Sequence, residues 1–183
     1  MVDLEKESEA QNRLEEWIRK IGEGDQDALA LFYEQTRTAV YALLLTYLDW
    51  HDAEDALHDT YLGIFRSAPR YRAEGKPMAW TAGIARNVAL MKLREKRRET
   101  TLEETRWELF ASAEGISAED RQVLSQLLTG LKREDAAVVV LHAVSGLKFK
   151  EIGRVMEMPL STVLSRYHRA MKKMRQAWKE ASL

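Results

Sequence analysis

The side chains best equipped for chemistry cluster near the carboxy-terminal end. Leu164, Ser165, His168, Arg169 and Lys172 recur at helical spacing, so hydroxyl, imidazole, guanidinium and ammonium groups share one helix face. Ser161 and Thr162 stand near the start of the same helix. Such a face suits duplex nucleic acid: an arginine reads a guanine edge in the major groove, and small hydroxyls hold phosphates. A second cluster, His51, Glu54, Asp55, His58 and Asp59, puts imidazoles and carboxylates on one side of another helix. As a metal site it lacks the H-E-x-x-H spacing and a distant third ligand, so no metal is expected. As an acidic face it complements a basic partner. The chain has no cysteine, which excludes disulfides and thiolate metal sites.

The elements that must position these groups follow from hydrophobic spacing. Lys148 to Met156 reads as a short helix with Phe149, Ile152 and Val155 inward, and Glu157-Met158-Pro159 as a turn. A second helix follows, its buried stripe formed by Leu160, Val163, Tyr167, Ala170, Met171 and Met174. Helix, tight turn and basic helix make a helix-turn-helix layout; a plain helical hairpin with a charged outer face fits the pattern alone as well. Val123, Leu127 and Leu131, then Ala136 to Val144, supply the helices beneath it.

In the first half, Leu14, Trp17, Ile18 and Ile21 stripe a helix closed by Gly22 and Gly24. Asp25 is the expected N-cap of the next, which buries Leu29, Phe32, Val40, Leu44 and Leu48. A break is expected at Asp49 to Asp52. Helix resumes near Ala53, with Leu57, Tyr61, Ile64 and Phe65 on one side and acids on the other. Ser67 to Pro77 contains Pro69, Gly75 and Pro77 and reads as a loop. Trp80, Ile84, Val88 and Met91 then stripe a helix running into the basic block Lys92 to Arg98. Glu99 to Ser117 is acidic and weakly patterned, a linker with room for a short helix around Trp107, and Leu109 and Phe110 could dock on a neighbouring surface. The expected organisation is a first domain at 1–98, a linker at 99–117 and a second domain at 118–183.

Composition agrees with an all-α fold of two small helical domains joined by an acidic linker. Only 3 Pro and 9 Gly interrupt a chain rich in strong helix formers, and 45% of its residues are hydrophobic, enough for a folded core. No apolar run approaches the roughly 20 residues that span a bilayer, and the acidic amino terminus has no signal-like apolar stretch, so a soluble, cytoplasmic protein is expected. The net charge of -1 hides a strong alternation. Trp50 to Tyr61 is acidic, Arg66 to Arg98 basic with only Glu74 and Glu95 opposing, Glu99 to Asp120 acidic again, and Lys148 to Lys179 basic. One such run is an ordinary solvated helix face; two basic blocks joined by an acidic stretch fit two contacts with a polyanion.

Residues 131–170, above all EIGRVMEMPLSTVLSRYHRAM, resemble region 4 of the extracytoplasmic-function sigma factors, through Glu151-Ile152, Pro159, Thr162-Val163, Ser165-Arg166 and His168-Arg169-Ala170. The resemblance implies that this unit reads the promoter's minus-35 element with Ser161, Thr162, Leu164, Ser165, Arg166, His168, Arg169 and Lys172. Leu164 stands where the family usually has Lys or Arg, and Lys132 where it has Pro. Asp52 to Phe65, DAEDALHDTYLGIF, resembles region 2.2, which grips the largest polymerase subunit. The implied contacts are Asp52, Asp55, His58, Asp59 and Leu62, with His58-Asp59 replacing a common Gln-Glu pair. Ser67 to Arg98, with IARN at Ile84 to Asn87, resembles regions 2.3 and 2.4, which open the minus-10 element. Here the implied DNA contacts are Tyr71, Arg72, Lys76, Trp80, Arg86, Asn87 and Lys92: aromatics to stack on bases, cations to follow the separated strand. Trp80 reads equally as a core anchor, since it shares the stripe of Ile84 and Val88, and Thr81, Gly83 and Met91 replace the usual Leu, Arg and Asp. The implied function is promoter-specific transcription initiation without catalysis or cofactor. Its partners would be core RNA polymerase, promoter DNA and an anti-sigma protein. An ordinary helix-turn-helix regulator leaves the acidic helix and the Pro/Gly loop unexplained; a helical enzyme using His51 and His58 is the remaining alternative.

Overall fold

Two acids start two of the long helices. Asp25 accepts from the Ala28 N–H at 3.0 Å, as expected, and Asp49 from the Asp52 N–H at 3.0 Å. Each satisfies a donor that the first helical turn leaves unpaired. Capping by Asp49 moves the interruption earlier than its residues suggested: helix ends at Leu45 and resumes at Trp50. The computed structural model describes residues 2–99 and 130–181, and every regular element among them is helical. These are α1 (Val2–Gly22), α2 (Gln26–Leu45), α3 (Trp50–Ser67), a 3-10 turn (Ala68–Arg70), α4 (Pro77–Glu99), α5 (Arg133–Ala143), α6 (Phe149–Val155) and α7 (Leu160–Ala181). The acidic linker, including Trp107, Leu109 and Phe110, and the positions Val123 and Leu127 lie outside the described residues.

Helices α1 to α4 pack around Ile18, Ile21, Phe32, Leu43, Leu44 and Ile64, all essentially inaccessible. Each such side chain contributes about 1.5–3 kcal/mol by leaving water. Tyr61 reaches into this core, edge-on to Phe32, with its hydroxyl 2.7 Å from that of Thr36. Helix α4 departs from the expected pattern. Its buried face is Thr81, Ala82, Ala85 and Ala89, while Trp80, Ile84 and Val88 are half-buried and Met91 is 50% exposed. Small side chains bring α4 close to its neighbours, so the tightest packing falls where hydrophobic bulk is lowest. Phe65 on α3 (41% exposed) and Leu160 on α7 (43%) also face outward, against the inward positions expected of them. Phe65 ends a face that α1, α2 and α4 leave uncovered; Leu160 is the first residue of its helix, ahead of the turn where Val163 meets the core.

In the second unit α5 is buried along its length from Asp135 to Leu141. His142 stacks on Phe149 with centroids 4.3 Å apart, and Tyr167 packs edge-on to both, locking α5, α6 and α7 together. A Cβ on Gly153 would sit 2.9 Å from the Met158 carbonyl oxygen, so only glycine lets α6 fold back against its own turn. The helix-turn-helix expected from the sequence is present, with a longer second helix. The two units also touch: α5 lies against α2 and α6 against α4.

Candidate nucleic-acid interface

On α7, Ser161, Ser165, His168, Arg169 and Lys172 are exposed, whereas Thr162, Leu164 and Arg166 are partly covered. The Ser165 hydroxyl donates to the Thr162 carbonyl at 2.9 Å, which leaves its oxygen to accept. Both arginines run to one carboxylate. Asp135, 1% exposed, accepts from Arg166 at 2.8 Å and from Arg169 Nε and a terminal nitrogen at 3.0 and 3.2 Å. Arg166 also pairs with Glu134. Burial would raise the Asp135 carboxyl, but hydrogen bonds from Arg169 and then Arg166 outweigh it and hold it below the ordinary carboxylate value. Arg166 therefore joins α7 to α5, while Arg169, half exposed, is anchored along one edge and open along the other. Asp135 was invisible as a functional residue: an acid in the first turn of an apolar helix reads as favourable helix chemistry and nothing more.

Beside α4 a recess of about 560 Å³ is lined by Tyr71, Arg72, Lys76, Trp80, Arg86 and Asn87, together with Arg154, Val155 and Glu157 from α6 and its turn. Six of the seven residues expected at the minus-10 element thus converge. Tyr71 and Trp80 pack with centroids 4.8 Å apart, so half-buried Trp80 anchors the helix start and walls the recess at once. The Tyr71 hydroxyl donates to Glu15 at 3.0 Å, and burial followed by this carboxylate pushes its pKa well above the ordinary value. Lys92 stands apart, paired with Asp59 at 3.0 Å. Arg86 is only 15% exposed, reaching Glu157 at 3.6 Å and the Met156 carbonyl at 3.5 Å. The Tyr47 hydroxyl donates to the Met156 sulfur at 3.4 Å beside it. Tyr47, Met156 and Glu157 carried no sequence signal for this site, because their partners lie on the other unit.

The acidic face of α3 divides likewise. Asp52 meets Lys96 at 2.6 Å, a lysine shared with Asp49 at 2.6 Å, and Asp59 meets Lys92. Asp55, His58 and Leu62 are exposed, with Phe65 one turn beyond Leu62. Among the described residues no three His, Asp or Glu side chains form a metal-holding group, and no helix is long and apolar enough to cross a membrane.

Both the sequence and the fold are similar to those of known proteins. Residues 32–99 match Sigma-70 region 2 and residues 121–174 match Sigma-70 region 4. The chain is 29% identical over 167 residues to the ECF RNA polymerase sigma factor SigK of Mycobacterium ulcerans, covering 86% of this chain and 89% of that one. It is 25% identical over 174 residues to SigW of Bacillus subtilis, covering 86% and 92%. In fold it resembles CnrH bound to the cytosolic domain of CnrY, with a TM-score of 0.60 and 19% identity over 92% of this chain and 98% of that one. It likewise resembles RpoE bound to the anti-sigma factor NepR from Bartonella quintana, with a TM-score of 0.65 and 19% identity over 81% and 96%.

Proposed function

The chain belongs to the extracytoplasmic-function group of the sigma-70 family, and from that premise we propose how its parts divide the work of an alternative sigma factor directing promoter-specific transcription. The unit at 1–98 holds core polymerase through Asp52, Asp55, His58, Asp59 and Leu62. Asp55, His58 and Leu62 form the exposed centre of that contact, and Asp52 and Asp59 brace it through Lys96 and Lys92. The same unit opens the minus-10 element. Tyr71 and Trp80 receive an unstacked base, while Arg72, Lys76, Arg86, Asn87 and Lys92 carry the strand. The unit at 118–183 lays α7 in the major groove of the minus-35 element. Arg169 and Lys172 lead that contact, His168, Ser161, Thr162 and Ser165 border it, Leu164 supplies an apolar edge, and Arg166 holds the helix in place. The acidic stretch at 99–117 joins the two.

The role is binding, not catalysis, and needs no cofactor. It is exercised in the cytoplasm, with an anti-sigma protein as regulator; the related RpoE was solved with one. The observation that supports this division best is the paired aromatic rings of Tyr71 and Trp80 in a recess rimmed by Arg72 and Lys76. An ordinary duplex-binding regulator has no use for such a recess. The direct test mixes the protein with sigma-free core polymerase and genomic DNA and sequences the transcripts. Discrete start sites sharing elements near minus-35 and minus-10 are expected. A protein that does not bind core defeats the reading.

A further inference from the structure

One carboxylate holds the loop that carries Tyr71, and it comes from α1, ahead of the stretch matched to Sigma-70 region 2. Glu15 Oε1 accepts from the Tyr71 hydroxyl at 3.0 Å and from the Gly75 N–H at 2.8 Å. These two donors bracket Arg72, Ala73 and Glu74, all exposed, so no buried side chain between them fixes the loop. Gly75 adopts φ +70, the left-handed turn that lets its N–H point back at the carboxylate. We infer that Glu15 is a positioning residue for promoter opening, presetting the loop 71–76 so that Tyr71 and Trp80 already form one wall of the recess when the strand arrives. The inference rests on the role given to Tyr71 above.

Two physical arguments carry it. A loop with exposed side chains pays its ordering entropy on binding unless something has ordered it beforehand, and a rigid wall captures a base at lower cost than a mobile one. The second is charge. A carboxylate bonded to the loop that carries Arg72 and Lys76, cations meant for phosphates, weakens DNA binding electrostatically. Electrostatics alone therefore predicts that removing Glu15 tightens binding and speeds opening. Positioning predicts the opposite sign.

The experiment uses holoenzyme reconstituted with core polymerase on a promoter from the genomic transcript set, with a fluorescent base at minus-10. Glu15→Ala should slow opening about tenfold, the scale of a lost charge-assisted hydrogen bond, while core affinity and minus-35 duplex affinity stay unchanged. Glu15→Gln, which keeps an acceptor oxygen, should recover most of the rate. Tyr71→Phe, which keeps the ring and loses the hydroxyl, should slow opening too. Combined with Glu15→Ala it should add little, because both remove the same bond. Opening by Glu15→Ala at or above the parent rate, or strict additivity with Tyr71→Phe, overturns the inference. Tyr71→Ala separates the two levels. If it opens promoters normally, the assigned role of the loop fails. If it is slow while Glu15→Ala is normal, only the inference fails. Should Glu15→Ala fold poorly, Glu15→Gln and Tyr71→Phe still decide the sign.

Discussion

Asp135 ties down two of the cationic side chains of α7. Its carboxylate is buried yet charged, held so by the two arginines that the sequence assigned to the minus-35 surface. Asp135→Asn removes the charge that both guanidinium groups face and leaves Arg166, already with an unpartnered Nε, with Glu134 as its remaining counterion. A loss of about 2–3 kcal/mol is expected from breaking one partner of a buried pair, read by urea unfolding of the whole protein. The pH dependence has a definite sign. A carboxyl whose folded pKa lies below its unfolded one stabilises fully above the unfolded value, near 3.9, and loses that contribution as pH falls through the folded value. The parent should therefore lose stability on acidification below about pH 4 more steeply than Asp135→Asn. Parallel acid profiles would show that Asp135 contributes nothing there. The sequence placed Arg166 and Arg169 on α7 and could not show that they converge, because the third member of the cluster lies 31 residues before Arg166, just ahead of a run of alanine and valine.

At the scale of elements, the helices with large apolar stripes were legible and the one built on small residues was not. Leu14, Ile18 and Ile21 face inward as their spacing requires, and so do Ile152, Val155 and Val163. On α4 the large side chains Trp80, Ile84 and Val88 advertise one face while Ala82, Ala85 and Ala89 occupy the core. Hydrophobic spacing weighs bulk, whereas close helix approach selects for its absence. Ala85→Leu should therefore destabilise the protein by about 1–3 kcal/mol through overpacking, although leucine is the more hydrophobic residue; an unchanged denaturation midpoint would mean that α4 has room to spare. The outward face of α3 gives the complementary prediction. Asp55 is exposed, with no ion pair among the described residues, so charge reversal there changes little within the fold. Asp55→Lys should weaken core polymerase binding at least tenfold, with a larger deficit at low salt, and leave minus-35 duplex binding intact. Equal loss of both would point to unfolding rather than to a lost contact.

For the whole molecule, the proposed contacts with both promoter elements conflict with the way the units are packed. Elements 25 base pairs apart are separated by roughly 85 Å of duplex at 3.4 Å per pair, while α6 and its turn lie directly against α4. Both elements can be engaged only if the units part. The junction that must open is chemically specific. Glu157 reaches Arg86 across it and is held at φ 55, the one non-glycine with positive φ among the described residues. Left-handed backbone costs a non-glycine residue of order 1 kcal/mol, and Arg86 cannot face Glu157 and a DNA phosphate at once. Glu157→Gly removes both the strain and the competing carboxylate. The free protein should then bind a single-stranded minus-10 oligonucleotide several-fold more tightly and unfold at a slightly higher denaturant concentration. Glu157→Ala should share the first effect and not the second, because its backbone stays left-handed without relief. In holoenzyme on promoter DNA, where the proposed contacts require the units to be apart, neither substitution should alter affinity. Unchanged binding by the free Glu157→Gly protein would mean that Arg86 is not withheld from DNA by its partner across the junction.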